Sequence, residues 1–243
     1  MKSKIQYLLQ QILGLPRYLK IFSWYKIKTL HTDTGENDFF HFVNMIPEGS
    51  DVLDIGANIG IMSYYLSQKV GSGSVFAFEP IPHNLAALNW IKRKFNLNNV
   101  TISDVALGNE NGTTKMVMPV VDQVKKQGLS HVLSDDIKDF NEGDTFTATI
   151  SKLDDFDAIK NLDIKAIKID VENFEYHVFL GAEQTLRQHL PIIYCELWDN
   201  PNRYKCFDFM RTLGYSVMFK QGERLEHFDD KNHQTQNFFF IHE

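Results

Sequence analysis

Cysteine is nearly absent: Cys195 and Cys206 are the only two in 243 residues. Two thiols cannot build a disulfide framework or a four-thiolate zinc site, and nothing in the chain calls for an oxidising compartment. No apolar run reaches the roughly 18 residues that a membrane span requires. The stretch 5–15 resembles a signal core only loosely, because Gln6, Gln10 and Gln11 interrupt it and no small-residue cleavage site follows. A cytoplasmic location is therefore expected. Basic residues are outnumbered, 25 to 31, for a net charge of −6, which argues against non-specific nucleic-acid binding. Internal repeats and low-complexity tracts are also lacking. What is present, 43% hydrophobic and 23% charged residues, is ordinary globular composition and excludes disorder throughout.

The charge is uneven. Residues 1–30 carry Lys2, Lys4, Arg17, Lys20, Lys26 and Lys28 and no acid, among many apolar and aromatic side chains. This pattern reads as two short amphipathic helices divided at Pro16. Such an appendage is expected to pack on the domain or on a second subunit, which makes a homo-oligomer one expectation. A sharper reading has residues 1–30 touch an anionic membrane surface. A further helix spans about 36–46, with Phe39, Phe40, Val43 and Ile46 near one face. The expected division is a helical appendage at 1–46 and an α/β domain at 47–243.

From residue 51 strands and helices alternate. Strands are expected at 51–55, 75–78, 100–105, 164–171, 192–197, 215–219 and 237–241. Helices are expected at 60–69, from Pro82 onward, at 174–189 with a break near Gly181, and at 203–213. This βαβ rhythm predicts a mainly parallel sheet covered on both faces. One interval departs from it: residues 113–150 read as an inserted β-hairpin, 113–118 with 145–150, around a long loop at 119–144 of the kind often tied to function.

The strongest motif is Asp54-Ile55-Gly56-Ala57-Asn58-Ile59-Gly60, where a strand yields to a helix. Open α/β sheets bind ligands there. Gly56 allows a tight turn and close approach to the backbone; Gly60 allows close packing of the following helix. The spacing is not the G-x-G-x-x-G of a dinucleotide site. An acid two residues before the turn suits a cationic ligand, and S-adenosylmethionine carries both a sulfonium and an ammonium. Glu79, at the end of the second strand, is placed to accept hydrogen bonds from two ribose hydroxyls. Asp104, after the third strand, could accept from an adenine amino group.

Taken in order, the segments 54–60, Phe78-Glu79-Pro80-Ile81-Pro82-His83-Asn84, 106–112, 153–155, Ile167-Lys168-Ile169-Asp170-Val171-Glu172 with Glu175, 181–183 and 195–197 resemble the FkbM family of S-adenosylmethionine-dependent methyltransferases. The resemblance runs from about 50 to 200 and leaves residues 1–46 outside. It implies a Rossmann-like sheet of seven strands, mostly parallel with the last antiparallel and helices on both faces. It implies transfer of a methyl group to a hydroxyl of a small molecule, a sugar, glycan or secondary metabolite. By motif match Asp54, Gly56, Asn58 and Glu79 form the cofactor set, to which the residue reading adds Gly60 and Asp104. Asn173 stands where the family usually has glycine; asparagine best tolerates positive φ.

A hydroxyl is a poor nucleophile until its proton leaves, so a general base is expected. Asp170, Glu172 and His131 are the assigned catalytic residues, with Glu196 and His177 also considered. Asp170 and Glu172 would share one side if their strand persists that far, and each would raise the other's pKa. The same pair could hold a divalent cation through oxygen, although no metal is assigned. His131 could reach the crevice if the inserted loop folds over it. Lys168 is expected to pair with a neighbouring acid, and Trp198 to pack at the rim. Two other readings stand beside this one: a nicotinamide oxidoreductase, and a non-catalytic binding protein that keeps the fold.

Overall fold

The structure, a computed structural model, describes residues 2–242. The chain begins with α1 (Lys2–Leu13), α2 (Leu15–Thr29) and α3 (Asn37–Met45). The break between the first two falls at Gly14, whose φ of 70° ends the helix, and not at Pro16. Proline lacks the N–H that a first helical turn leaves unpaired anyway, so Pro16 starts α2 instead of stopping it. On α3 the fully buried ring beside Phe39 is Phe42, while Phe40 stays half-covered.

The main sheet follows: β1 (Asp51–Ile55), α4 (Ile61–Val70), β2 (Val75–Phe78), α5 (Pro82–Lys94) and β3 (Val100–Ser103). A small second sheet interrupts it with β4 (Ala106–Leu107), β5 (Gly112–Val121), β6 (Val124–Lys125), β7 (His131–Val132) and β8 (Gly143–Ser151). The chain then returns through β9 (Ile164–Ile169), α6 (Glu175–Leu180), α7 (Glu183–His189), β10 (Ile192–Glu196), α8 (Pro201–Thr212), β11 (Tyr215–Gln221), β12 (Arg224–His227) and β13 (Asn237–His242).

The large sheet has the order β12-β11-β13-β10-β9-β1-β2-β3. The five strands from β10 to β3 are parallel, and β13 runs antiparallel to both its neighbours. This is the expected Rossmann-like arrangement with the last strand reversed. An eighth strand, β12, is added at one edge. Its sequence, Arg224-Leu225-Glu226-His227, is polar and mostly exposed, so no apolar periodicity announced it.

Both faces of the sheet are buried, and β13 shows why the fold needs a triple phenylalanine. Phe238 and Phe240 enter the core on one face and Phe239 the core on the other. The inserted hairpin forms as expected, β5 pairing antiparallel with β8 from Gly112↔Ile150 to Pro119↔Gly143. The loop between them carries its own short strands, β6 and β7, pairing back on β5. Asp122 and Gln123, at φ 52° and 65°, make the tight β5–β6 turn, as such hairpins require positive φ.

The strand order reverses at β1: the chain builds outward through β2 and β3, then crosses back to β9. Ligands of open α/β sheets bind at this switch point, beyond the carboxyl ends of the strands. Gly56 stands there with φ 76°, and a Cβ on it would lie 1.9 Å from the Asp170 carbonyl oxygen. Gly56→Ala is therefore expected to lower stability by at least about 2 kcal/mol, read from the urea midpoint. An unchanged midpoint would contradict this packing.

Candidate active site

Four segments meet at the switch point. The turn after β1 brings Gly56 and Asn58, the end of β2 brings Glu79, the end of β9 brings Asp170 to Glu172, and the insert brings Gln127, Gly128, Ser130 and Val132. Together they line a cleft at the carboxyl ends of the strands, where small-molecule sites of open α/β sheets lie. A second cleft lies across the Gly56 turn and shares Gly56, Asn58, Gln127 and Asp170 with the first. Its outer wall comes from the N-terminal helices, through Phe22, Lys26, Leu30 and Glu36.

Beneath the turn sits a buried ion network. Lys168 Nζ donates to the Gly56 carbonyl at 2.8 Å and stands 3.5 Å from Asp54 Oδ1 and 3.7 Å from Asp170 Oδ2. Ser63 Oγ donates to the other Asp54 oxygen at 2.5 Å. Asp54 is fully enclosed and lies outside the lining of both clefts. The first acid of the motif thus supports the glycine turn from below instead of facing the ligand space. Gly60 packs its α-carbon face on α5, where a Cβ would come within 2.6 Å of Leu88 Cδ1.

Glu79 lies in the first cleft with both carboxylate oxygens engaged. Oε2 accepts from the Asn58 N–H and Oε1 from the Ile81 N–H, each at 2.8 Å. Burial pushes its pKa up to about 7, against these hydrogen bonds. Asp104 is exposed and outside the lining; its neighbours Val105 and Ala106 face the cleft in its place. That is a correction to the adenine assignment, because β3 ends at Ser103 and Asp104, beyond the strand, is exposed.

Strand β9 ends at Ile169, earlier than expected, so alternation does not align Asp170 with Glu172. A left-handed turn does the work: Glu172 and Asn173 adopt φ 55° and 75°, and both Asp170 and Glu172 reach the cleft. Glu175 braces this turn, its Oε1 accepting from the Val171 and Asn173 N–H groups. Asn173 fills the glycine position and is tied to the start of α8 through Asn200 and Asn202.

The acids here crowd one another. Burial, then Asp170, Glu196 and Glu175, raise Glu172 to about 10. Burial likewise raises Glu175 to about 8 and Glu196 to about 7. Among the described residues no group of three or more His, Cys, Asp and Glu side chains is arranged to hold a metal ion.

His131 is the second correction. Its ring nitrogens lie 2.8 Å from the Leu129 carbonyl and 2.9 Å from Asn141 Oδ1, so it fastens the insert to itself. Its chain neighbours Ser130 and Val132 line the cleft and His131 does not. His177 is bound to Asn109 and Asp136 and stacks on Phe174. Trp198 packs edge-on against Phe140 at the rim.

Several lining residues were not read as site residues from sequence: Asn84, Gln127, Ser130 and Glu36. Asn58 Oδ1, Asn84 Oδ1, Ser130 Oγ and Glu172 Oε2 are buried and lack any hydrogen-bond partner among the described residues, and all four residues line the first cleft. Buried polar atoms are nearly always paired. Four orphans around one cavity mark a polar ligand's place.

A parallel α/β sheet with a glycine turn and a carboxylate-lined crevice at its switch point defines the methyltransferase-like class of Rossmann-related folds. The chain belongs to the methyltransferase FkbM domain family, whose model matches residues 54–224. A similar curated protein is methyltransferase 1 of Beauveria bassiana (strain ARSEF 2860), 24% identical over 70% of this chain and 74% of the relative. The crystal structure of methyltransferase FkbM from Methylobacillus flagellatus KT is 14% identical, with a TM-score of 0.54 over 82% of this chain. This chain spans 45% of that longer protein, so the likeness concerns the fold. Family membership sets aside the nicotinamide reading.

The raised carboxyls couple the site to stability. A glutamate whose folded pKa exceeds its ordinary 4.5 favours folding while protonated. That contribution is complete below pH 4.5 and is lost as pH climbs through the values near 7, 8 and 10. Urea unfolding should therefore give a smaller stability near pH 9 than near pH 6. Glu196→Gln should recover about 1–3 kcal/mol at the higher pH. Equal stability at both pH values would contradict the buried state of these acids.

Proposed function

We propose that this methyltransferase uses S-adenosylmethionine and methylates a hydroxyl of a small molecule, a sugar, glycan or secondary metabolite. The observation that carries the reading is the set of four orphaned polar atoms in an acid-lined cleft beside the glycine turn. The cofactor supplies the methyl group on a sulfonium. Glu79 would hold the ribose hydroxyls, and Asn58, Asn84 and Ser130 the remaining polar edge. A first chamber lined by Glu79, Asp170 and Glu172 favours a cation over an anion.

Glu172 is the base. Its environment makes it a strong proton acceptor once ionised, and a positive charge in the same cleft favours that ionised state. It takes the acceptor's hydroxyl proton while the cleft walls keep the reacting groups aligned. Alignment of this kind is worth roughly 7–11 kcal/mol of barrier. Asp170, tied to Lys168, positions the turn that carries Glu172 and adds negative charge beside it. The insert and the N-terminal helices, which supply the outer walls, select the acceptor.

Two substitutions separate these roles. Glu79→Gln should weaken S-adenosylmethionine binding by about 1.5–3 kcal/mol, as for loss of a hydrogen bond to a charged group, measured by isothermal titration. Unchanged affinity would reject the ribose assignment. Glu172→Gln should leave the affinity for S-adenosylhomocysteine, which lacks the sulfonium charge, near its original value and slow turnover by about 10²–10⁴-fold, followed by the mass gain of a methylated metabolite pool. Wild-type turnover in Glu172→Gln would remove it as the base, and binding without any methyl transfer by the unaltered chain would favour a non-catalytic role.

A further inference from the structure

Helix α1 is docked inside out. Gln10 exchanges two hydrogen bonds with the Lys125 backbone on β6, at 3.0 and 3.1 Å, and Gln6 accepts from Lys126 Nζ. The polar side of the helix is thus the one that faces the protein. Its apolar stripe, Ile5, Leu8, Leu9 and Ile12, faces outward, with Leu8 57% and Ile12 69% exposed. The spacing i, i+3, i+4, i+7 puts these four side chains on one face. Helix α2 buries Leu15, Tyr18, Leu19 and Ile27 and leaves Ile21, Trp24 and Tyr25 exposed beside basic side chains.

A helix that turns Gln6 and Gln10 inward and Leu8 and Ile12 outward leaves an apolar face open to an outside partner. Charge says which. Asp33 is the first acid in the sequence, after Lys4, Arg17, Lys20, Lys26 and Lys28, whereas the whole chain is acidic, at −6. A two-fold contact between copies would set this basic segment against itself. Among the described residues no helix is long and apolar enough to cross a membrane. We propose that α1 and the exposed side of α2 form a docking face for an anionic lipid surface, lying in the interface with Ile5, Leu8, Leu9 and Ile12 among the acyl chains. Apolar residues on one face of α1, and the exposed Trp24 with basic side chains on α2, match the requirements for such binding. The acidic remainder of the chain is repelled by the same surface, which fixes the orientation. Since β6 leads within two residues to Gln127 in the cleft wall, docking sets the crevice beside the lipid.

Flotation of the full chain with vesicles tests this without any cofactor, so its outcome is separate from the methyl-transfer reading. The chain should float with phosphatidylcholine vesicles containing one third phosphatidylglycerol, stay behind with phosphatidylcholine alone, and be released as salt rises. The pair Leu8→Asp and Ile12→Asp should weaken partitioning at least about tenfold with an unchanged melting temperature. Each basic residue reversed among Lys4 and Arg17 should weaken it by about fivefold or more. Failure to float with the anionic vesicles at low salt would overturn the inference. So would a dimer in analytical ultracentrifugation that the Leu8→Asp, Ile12→Asp pair splits, since a second copy would then cover the face.

Discussion

A single buried ammonium holds the functional end of the sheet together. Lys168 reaches from β9 to the Gly56 carbonyl and stands between Asp54 and Asp170. Burial works against its charge, yet Asp54 and Asp170 outweigh that cost and keep it protonated above its ordinary range. Three segments converge on this one group: the end of β1, the glycine turn and the start of the Asp170–Glu172 turn. A buried charge left without its partner costs several kcal/mol, so the lysine and its two acids stand or fall as a unit. The close contact of Gly56 with the Asp170 backbone follows from the same convergence.

The crevice above this network has the opposite character. Lys168 lines only the second cleft, and among the described residues the first cleft keeps Glu79, Asp170 and Glu172 with no basic side chain in its lining. Carboxyls that crowd in a poorly solvated space hold protons they would otherwise lose. Such a site is costly while empty of positive charge and relaxes when a cation enters. That is the physical link between a raised set of pKa values and a cationic methyl donor, and it places the stability of the fold and its proposed chemistry on the same side chains.

The sheet was legible because its strands are buried on both faces and read as short apolar runs between glycines and prolines. The ordered acid and glycine motifs located the crevice. What escaped was set by tertiary contact. Asp54 has the right place in sequence, but Ser63 and Lys168 enclose it. His131 and Val132 are adjacent in β7, and only pairing with β5 decides which of them faces inward. Asn84 and Gln127 lie 43 residues apart and touch only once the insert folds over α5. The outward turn of α1 was invisible for a similar reason, since amphipathicity gives a face but not the direction it points. Residues 1–53 fall outside the family match, yet Lys26 and Glu36 wall the second cleft.

The most direct measurement is a crystal structure of the chain grown with S-adenosylhomocysteine. The ligand should lie across the Gly56 turn, with its ribose on Glu79, its polar edge on Asn58, Asn84 and Ser130, and its sulfur toward Asp170 and Glu172. Density for the ligand elsewhere, or crystals in which Glu79, Asn58, Asn84 and Ser130 meet only solvent at saturating ligand, would contradict the assignment of this crevice.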